Sequence, residues 1–217
     1  MPSAPSKRPA LSGAARHAAA KKPQNPVPKG PSSHEIRIIG GQWRRTRLKV
    51  LDKPGLRPTP DRVRETLFNW LGQDLSGWRC LDAFAGSGAL AFEAASRGAK
   101  EVLACETDAA MVEQLLASKD KLKADGVLIQ RANGVNALLA QVPASWDLVF
   151  LDPPFDSALL APSLQAAQAA IKPGGWVYLE AGEAWGEAQL APLGWQLKRH
   201  LRAGAVHAHL LSLATSG

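Results

Sequence analysis

Asp152-Pro153-Pro154-Phe155 follows directly on the apolar run Trp146-Asp147-Leu148-Val149-Phe150-Leu151. A run of that kind reads as a buried strand. The tetrad therefore lies at the carboxyl end of a strand, the edge of an open α/β sheet where ligands bind. Its residue types suit methylation of an exocyclic amine, a weak nucleophile because its lone pair is delocalised into the base. The Asp152 carboxylate can accept one N–H and the Pro153 carbonyl the other, which turns the lone pair toward a methyl donor. Pro153 and Pro154 stiffen the loop. Phe155 offers a face for the base, worth about 1–3 kcal/mol per stacked base. In-line placement of amine and donor supplies most of the rate, about 7–11 kcal/mol; proton acceptance by Asp152 adds about 10²–10⁴-fold. By itself Asp-Pro-Pro can simply end a strand, so the chemical reading depends on a second motif.

That motif is Leu81-Asp82-Ala83-Phe84-Ala85-Gly86-Ser87-Gly88, a strand entering a glycine-containing turn and then a helix. Gly86 and Gly88 allow close backbone approach, and the helix start offers N–H groups, so the loop of Phe84, Ala85, Gly86 and Gly88 suits a nucleotide-type cofactor. Glu106 follows at the end of the next strand, where an acid can accept from both ribose hydroxyls. The segment Gly86-Ser87-Gly88-Ala89-Leu90-Ala91 also satisfies a loose dinucleotide fingerprint. Asp82 separates the two candidates. A carboxylate beside the loop repels a pyrophosphate and suits the cationic amino group of S-adenosylmethionine. A tight turn without a ligand is the plain alternative.

The elements that must hold these residues follow from periodicity. Strands are predicted at 78–83, 101–106, 127–131, 146–151 and 175–180, with helices at 88–97, 108–123, 133–141 and 157–171. Such repeats imply a parallel sheet covered by helices on both faces. Runs at 195–201 and 206–213 are separated by Arg202-Ala203-Gly204-Ala205, too short for a crossover helix, so the last strand runs antiparallel to its predecessor. Gly174-Gly175 reads as a turn before the fifth strand. Ahead of the sheet, 35–40 and 43–50 read as a hairpin around Gly40-Gly41. A helix then begins with Thr59 as its predicted N-cap and Pro60 in the first turn.

Charge divides the chain. Residues 1–34 carry six basic groups, no acid and seven prolines; residues 35–64 carry nine basic and three acidic groups; residues 65–217 carry eleven basic and sixteen acidic groups. An acidic globule with a basic front points to a polyanionic partner, nucleic acid first. Arg37, Arg44, Arg45, Arg47, Arg57, Arg62 and Arg64 are the predicted phosphate contacts, against the alternative of a solvated face. The expected division is a disordered basic tail at 1–34, an RNA-binding extension at 35–72 and a catalytic domain at 73–217. The tail's spread prolines work against an organelle address. No apolar run reaches the length of a membrane span. With no signal-peptide centre and two cysteines outside any CxxC pair, a cytoplasmic protein without a disulfide framework or zinc site is expected.

These blocks together resemble the RsmD family, class I S-adenosylmethionine-dependent methyltransferases acting on the exocyclic N2 of guanine 966 in 16S ribosomal RNA. The resemblance covers about residues 35–213. It is carried by Ile36-Arg37-Ile38-Ile39-Gly40-Gly41-Gln42-Trp43, Gly55-Leu56-Arg57-Pro58-Thr59, Asp61-Arg62-Val63-Arg64-Glu65-Thr66-Leu67-Phe68-Asn69, the Asp82–Gly88 loop and Asp152-Pro153-Pro154-Phe155. The last two blocks occur in many amino-methyltransferases, whereas the arginine-rich ones are specific to this family. The resemblance implies a Rossmann-like, seven-stranded, mostly parallel sheet whose last strand is antiparallel. It implies donor contacts from Asp82, Gly86, Gly88 and Glu106, and from Asn133 near the adenine, where wider methyltransferases more often carry Asp. Arg45 stands where the family often has Gly. The implied partner is 16S rRNA or an assembling small subunit, with the protein as a monomer and no metal.

Other residues read more plainly. Cys80 and Cys105 are expected buried and reduced, and His207 and His209 read as surface residues on one strand face. Trp43 is either core or a stacking surface for RNA. A DNA adenine-N6 methyltransferase and a non-catalytic RNA-binding assembly factor remain alternatives, with a nicotinamide-dependent oxidoreductase more distant.

Overall fold

Apolar strands alternating with alanine-rich helices build a three-layer α/β structure. The computed structural model describes Met1, residues 35–51, Lys53, residues 58–154 and residues 158–214. The expectations for the tail at 1–34, for Arg57 and for Phe155 lie outside the described residues. In chain order the elements are β1 (Glu35–Arg37), β2 (Arg47–Lys49), α1 (Asp61–Leu71), β3 (Arg79–Asp82), α2 (Ala89–Ser96), β4 (Glu101–Glu106), α3 (Ala109–Leu122), β5 (Val127–Arg131), α4 (Gly134–Leu139), β6 (Trp146–Leu151), α5 (Leu160–Ala170), β7 (Ile171–Ala181), α6 (Glu187–Leu190), β8 (Trp195–Ala203) and β9 (Val206–Leu213). A single 3-10 turn, Ala191–Leu193, links α6 to β8.

The seven-stranded sheet has the order β5-β4-β3-β6-β7-β9-β8. Pairs from β5 to β7 are parallel, and β9 runs antiparallel to both β7 and β8. The order reverses between β3 and β6, which opens a crevice above the carboxyl ends of those strands. The mostly parallel sheet and its antiparallel last strand are as expected. Strand β7 begins earlier than expected. Its register jumps from Trp146↔Ile171 to Leu148↔Trp176, so Gly174-Gly175 forms an irregularity within the strand rather than a turn before it.

The front hairpin is shorter than its sequence pattern, only three residues per strand, because its turn is pressed onto the end of α2. Gly41 has φ +72°, and a Cβ there would lie 1.8 Å from the Ser96 carbonyl oxygen. Arg45 also adopts the left-handed region at φ 71°, which explains why glycine suits that position. Ile36, Leu48, Leu67 and Phe68 pack in one cluster with Phe92, Val102, Phe150 and Tyr178. The hairpin and α1 therefore share the core on one face of the sheet. Among the described residues no helix is long and apolar enough to cross a membrane.

Candidate active site

The glycine loop after β3 is fixed by the strand beside it. The Glu106 carboxylate accepts from the backbone N–H of Gly86 at 3.0 Å through Oε2, and from Thr107 and Asp108 at 2.7 and 2.9 Å through Oε1. One side chain thus sets the loop's distance from β4 and stays half-buried at the sheet edge. Asn133 caps α4, its Oδ1 accepting from the Asn136 N–H at 3.2 Å. Its amide NH₂ is the group left for a ligand edge. Gly134 lies against β3 so closely that a Cβ would be 2.1 Å from the Ala83 carbonyl oxygen. That contact brings α4 to the mouth of the crevice.

Asp82 is buried at the end of β3. Burial pushes its carboxyl up to about 7; N–H groups of Phe84 and Ala91 partly oppose the rise, and the Glu106 and Glu180 carboxylates reinforce it. Asp152, half-buried beyond β6, is likewise raised well above the usual carboxylate range, first by desolvation and then by Glu180 and Asp82. The pairing Leu151↔Leu179, carried one residue on, sets Asp152 beside Glu180. Glu180 is raised by burial too, against the opposing pull of the Tyr178 and Thr59 hydroxyls and the Arg64 guanidinium. Tyr178 donates to Glu180 Oε1 at 2.7 Å.

Three acids thus converge where the sheet order reverses. The guanidinium nearest them is already engaged: Arg64 bonds the Thr59 and Arg37 carbonyls, Asp61 and Glu93. An excess of buried carboxylate suits a ligand that brings positive charge and repels a pyrophosphate. The donor set therefore fits a sulfonium and ammonium carrier with a ribose for Glu106, and does not fit a dinucleotide.

Two sequence expectations are corrected here. Thr59 is not the cap of α1. Pro60 occupies that position, with no side-chain cap bond. Thr59 is instead buried, and its hydroxyl partly offsets the rise in pKa of both the Asp152 and the Glu180 carboxyl. Arg64 does not face solvent. It is fully buried, and its guanidinium bonds lie within the protein, so it secures the front of the chain rather than offering a phosphate contact. Arg37, Arg44, Arg45, Arg47 and Arg62 are exposed; Arg37 pairs with Asp61 at 2.9 Å and Arg47 with Glu35 at 3.2 Å. Arg37, Arg44 and Arg45 line a groove of about 260 Å³ beside α1.

Away from the crevice, Cys80 and Cys105 are free and buried as expected, and burial pushes the Cys105 thiol up to about 12. His209 is a further correction, being fully buried. Its Nε2 accepts the Trp185 N–H at 3.0 Å while Nδ1 faces the Leu179 carbonyl at 3.3 Å. The ring is thus neutral, and burial lowers its pKa to about 4. Trp43 is half-buried against the core.

Sequence reasoning missed Glu180 and Tyr178. The signal was present: β7 is an apolar strand with an acid one residue before its end, much as β3 and β4 end on acids, and Tyr178 and Glu180 are two residues apart on one face.

A family model described as "Conserved hypothetical protein 95" matches residues 36–212. Ribosomal RNA small subunit methyltransferase D of Escherichia coli K12 is 41% identical over 196 residues, 88% of this chain and 96% of that protein. Its Haemophilus influenzae counterpart is 40% identical over 191 residues, 86% and 96% of the two chains. The solved structure of a putative methyltransferase, yhhF, from Escherichia coli superposes with a TM-score of 0.71 at 40% identity, covering 84% of this chain and 99% of that one. The chain belongs to the family of conserved hypothetical protein 95, the RsmD family that its arginine-rich blocks and Asp152-Pro153-Pro154-Phe155 resemble.

Proposed function

We propose that the protein transfers a methyl group from S-adenosylmethionine to the exocyclic N2 of a guanine in small-subunit ribosomal RNA. The observation that carries this reading is the convergence of Asp82, Asp152 and Glu180 at the β3/β6/β7 edge, beside a glycine loop pinned by Glu106. The names of the relatives agree with it. When bound, the donor supplies an electrophilic methyl on a positively charged sulfur.

The chain's own residues do the rest. Asp82 faces the donor's cationic end, Glu106 accepts from the ribose hydroxyls and Asn133 donates toward the adenine edge. Asp152 and the Pro153 carbonyl accept the two N–H groups of the target amine, and Phe155 stacks on the base after it leaves its helix. The exposed arginines of the hairpin hold the RNA backbone.

The test is methylation by the purified protein of unmodified small-subunit rRNA, and of the assembled particle, followed by nucleoside mass analysis. N2-methylguanosine is expected. N6-methyladenine in DNA, or no methyl transfer to any ribosomal substrate, overturns the reading.

A further inference from the structure

We propose that the hairpin of β8 and β9 is an RNA-contact surface at the rim of the crevice, with Arg202 and Arg199 holding phosphates close to the target base. The inference rests on the reading of the substrate as RNA and adds a second contact to the arginines of the front hairpin. It starts from where those arginines lie. The front turn is bonded to Ser96, the last residue of α2: the Gln42 N–H donates to the Ser96 carbonyl at 2.7 Å and the Trp43 N–H to Ser96 Oγ at 3.0 Å. A helix that follows β3 and leads into the parallel strand β4 ends at the amino edge of the sheet. The turn that carries Arg44 and Arg45 is therefore at the edge away from the crevice. Phosphates beside the reacting base need other cations.

The terminal hairpin supplies them. β8 runs antiparallel to β9 and β9 antiparallel to β7, so β8 points the same way as β7 and its last residues lie at the crevice edge. There Ala181 pairs with His207 and His207 with Arg202, one residue beyond Glu180. With neighbouring strands about 4.8 Å apart, the Arg202 backbone stands roughly 14 Å along the rim from Asp152. Phosphates recur on the order of every 3.4 Å along one strand of a nucleic-acid helix, so a strand whose base enters the crevice passes Arg202 within a few nucleotides. Positive charge collects at the same place. Residues 65–187 carry eight basic and sixteen acidic groups, whereas residues 188–217 carry three basic groups, three histidines and no acid. Lys198, Arg199 and Arg202 are all exposed, and among the described residues none of them is in an ion pair. Arg202 Nε donates to the Gly204 carbonyl at 3.3 Å and Arg199 to the Lys198 carbonyl at 2.9 Å, bonds that leave both charges unmatched. His200 and His207 brace this end of the hairpin, with Nε2 and Nδ1 3.0 Å apart and the rings stacked at 5.2 Å. The plain alternative is that charges on an edge strand only prevent strand-to-strand association.

The test is filter binding of the full chain to small-subunit rRNA across a salt series, comparing the parent with Arg199→Ala/Arg202→Ala and with Arg202→Lys. Loss of two phosphate contacts reduces the slope of log affinity against log salt by about 1.4–1.8. KM for rRNA rises in the double variant, while S-adenosylmethionine binding and Tm stay at parent values. Arg202→Lys keeps the charge and the parent slope. An unchanged slope in the double variant overturns the proposal; new self-association in sedimentation would then show that the two cations guard the sheet edge. The two readings fail separately. A slope that falls in the double variant while the parent methylates no ribosomal substrate supports this surface and overturns methyl transfer; full methylation with an unchanged slope does the reverse.

Discussion

A buried carboxyl without a counter-charge costs stability, and Asp82 is kept in that state beside Asp152 and Glu180. Asp82 makes the cost measurable. Its folded pKa lies near 7 against an ordinary 3.8, so below about pH 4 both folded and unfolded states hold the proton and no penalty exists. Between about pH 4 and 7 the unfolded chain ionises first, and stability falls as pH rises; above 7 the penalty is constant. Asp82→Asn removes it. Thermal melts are expected to show little difference from the parent near pH 4 and a gain at pH 8, with a ceiling on the order of 4 kcal/mol. Calorimetry at pH 8 should show weaker S-adenosylmethionine binding by the same variant, stability exchanged for affinity. Asp152→Asn is expected to behave differently: donor binding is retained while kcat drops by about 10²–10⁴-fold. Donor affinity lost in step with turnover would place Asp152 in the donor pocket instead. At this scale the positions of Asp82 and Asp152 were legible because each ends or follows an apolar strand next to a glycine or proline turn, and that of Glu106 because it ends the strand after the glycine loop. Thr59 was not. Its local sequence is that of a helix cap, and only the placement of α1 against β6 and β7 takes its hydroxyl to the acids.

At the scale of elements, one buried carboxylate on α2 binds both the hairpin turn and α1. Glu93 of α2 is fully buried and accepts from Ile39 and Gly40 N–H, each at 2.8 Å, from Arg64 at 3.2 Å and from Arg97 at 2.9 Å. Arg64 extends the same connection to Arg37 and Asp61. Removing the shared acid leaves two guanidinium groups buried with too little negative charge, which typically costs about 3–5 kcal/mol. Glu93→Gln is therefore expected to lower Tm, and to speed hydrogen exchange at Ile39 and Gly40 before the amides of β6. Uniform acceleration across the sheet would show that the junction is not a separate unit of stability. Because Arg64 also donates to the carbonyl of Thr59, just ahead of α1, loosening this junction also loosens the crevice. The alternation of strands and helices was readable from period alone. The early start of β7 was not, since Lys172-Pro173-Gly174-Gly175 has turn chemistry that strand pairing overrides through an irregular register. Nor was the burial of His209, which depends on Trp185, a residue 24 positions away.

Over the whole molecule, basic charge is concentrated ahead of residue 65 and acidic charge after it, so RNA should be held by the front and repelled by much of the body. Arg44, Arg45 and Arg47 are the sharpest test of that division. All three are exposed, and they lie in or beside the hairpin that Glu93 fixes over α1. None reaches the buried acids. Contacts of this kind position the backbone without reading sequence, and each neutralised phosphate contributes about 0.7–0.9 to the slope of log affinity against log salt. Replacing the three arginines by alanine should reduce that slope by about two to three units, weaken binding alike for target and unrelated RNA, and leave donor binding unchanged. At saturating rRNA kcat should persist, because the crevice is intact. Filter binding across a salt series, with turnover measured on the same preparation, separates the possibilities. An unchanged slope would return these arginines to an ordinary solvated face; a lost kcat with an unchanged slope would mean that the hairpin acts on the crevice through α1 rather than on the RNA.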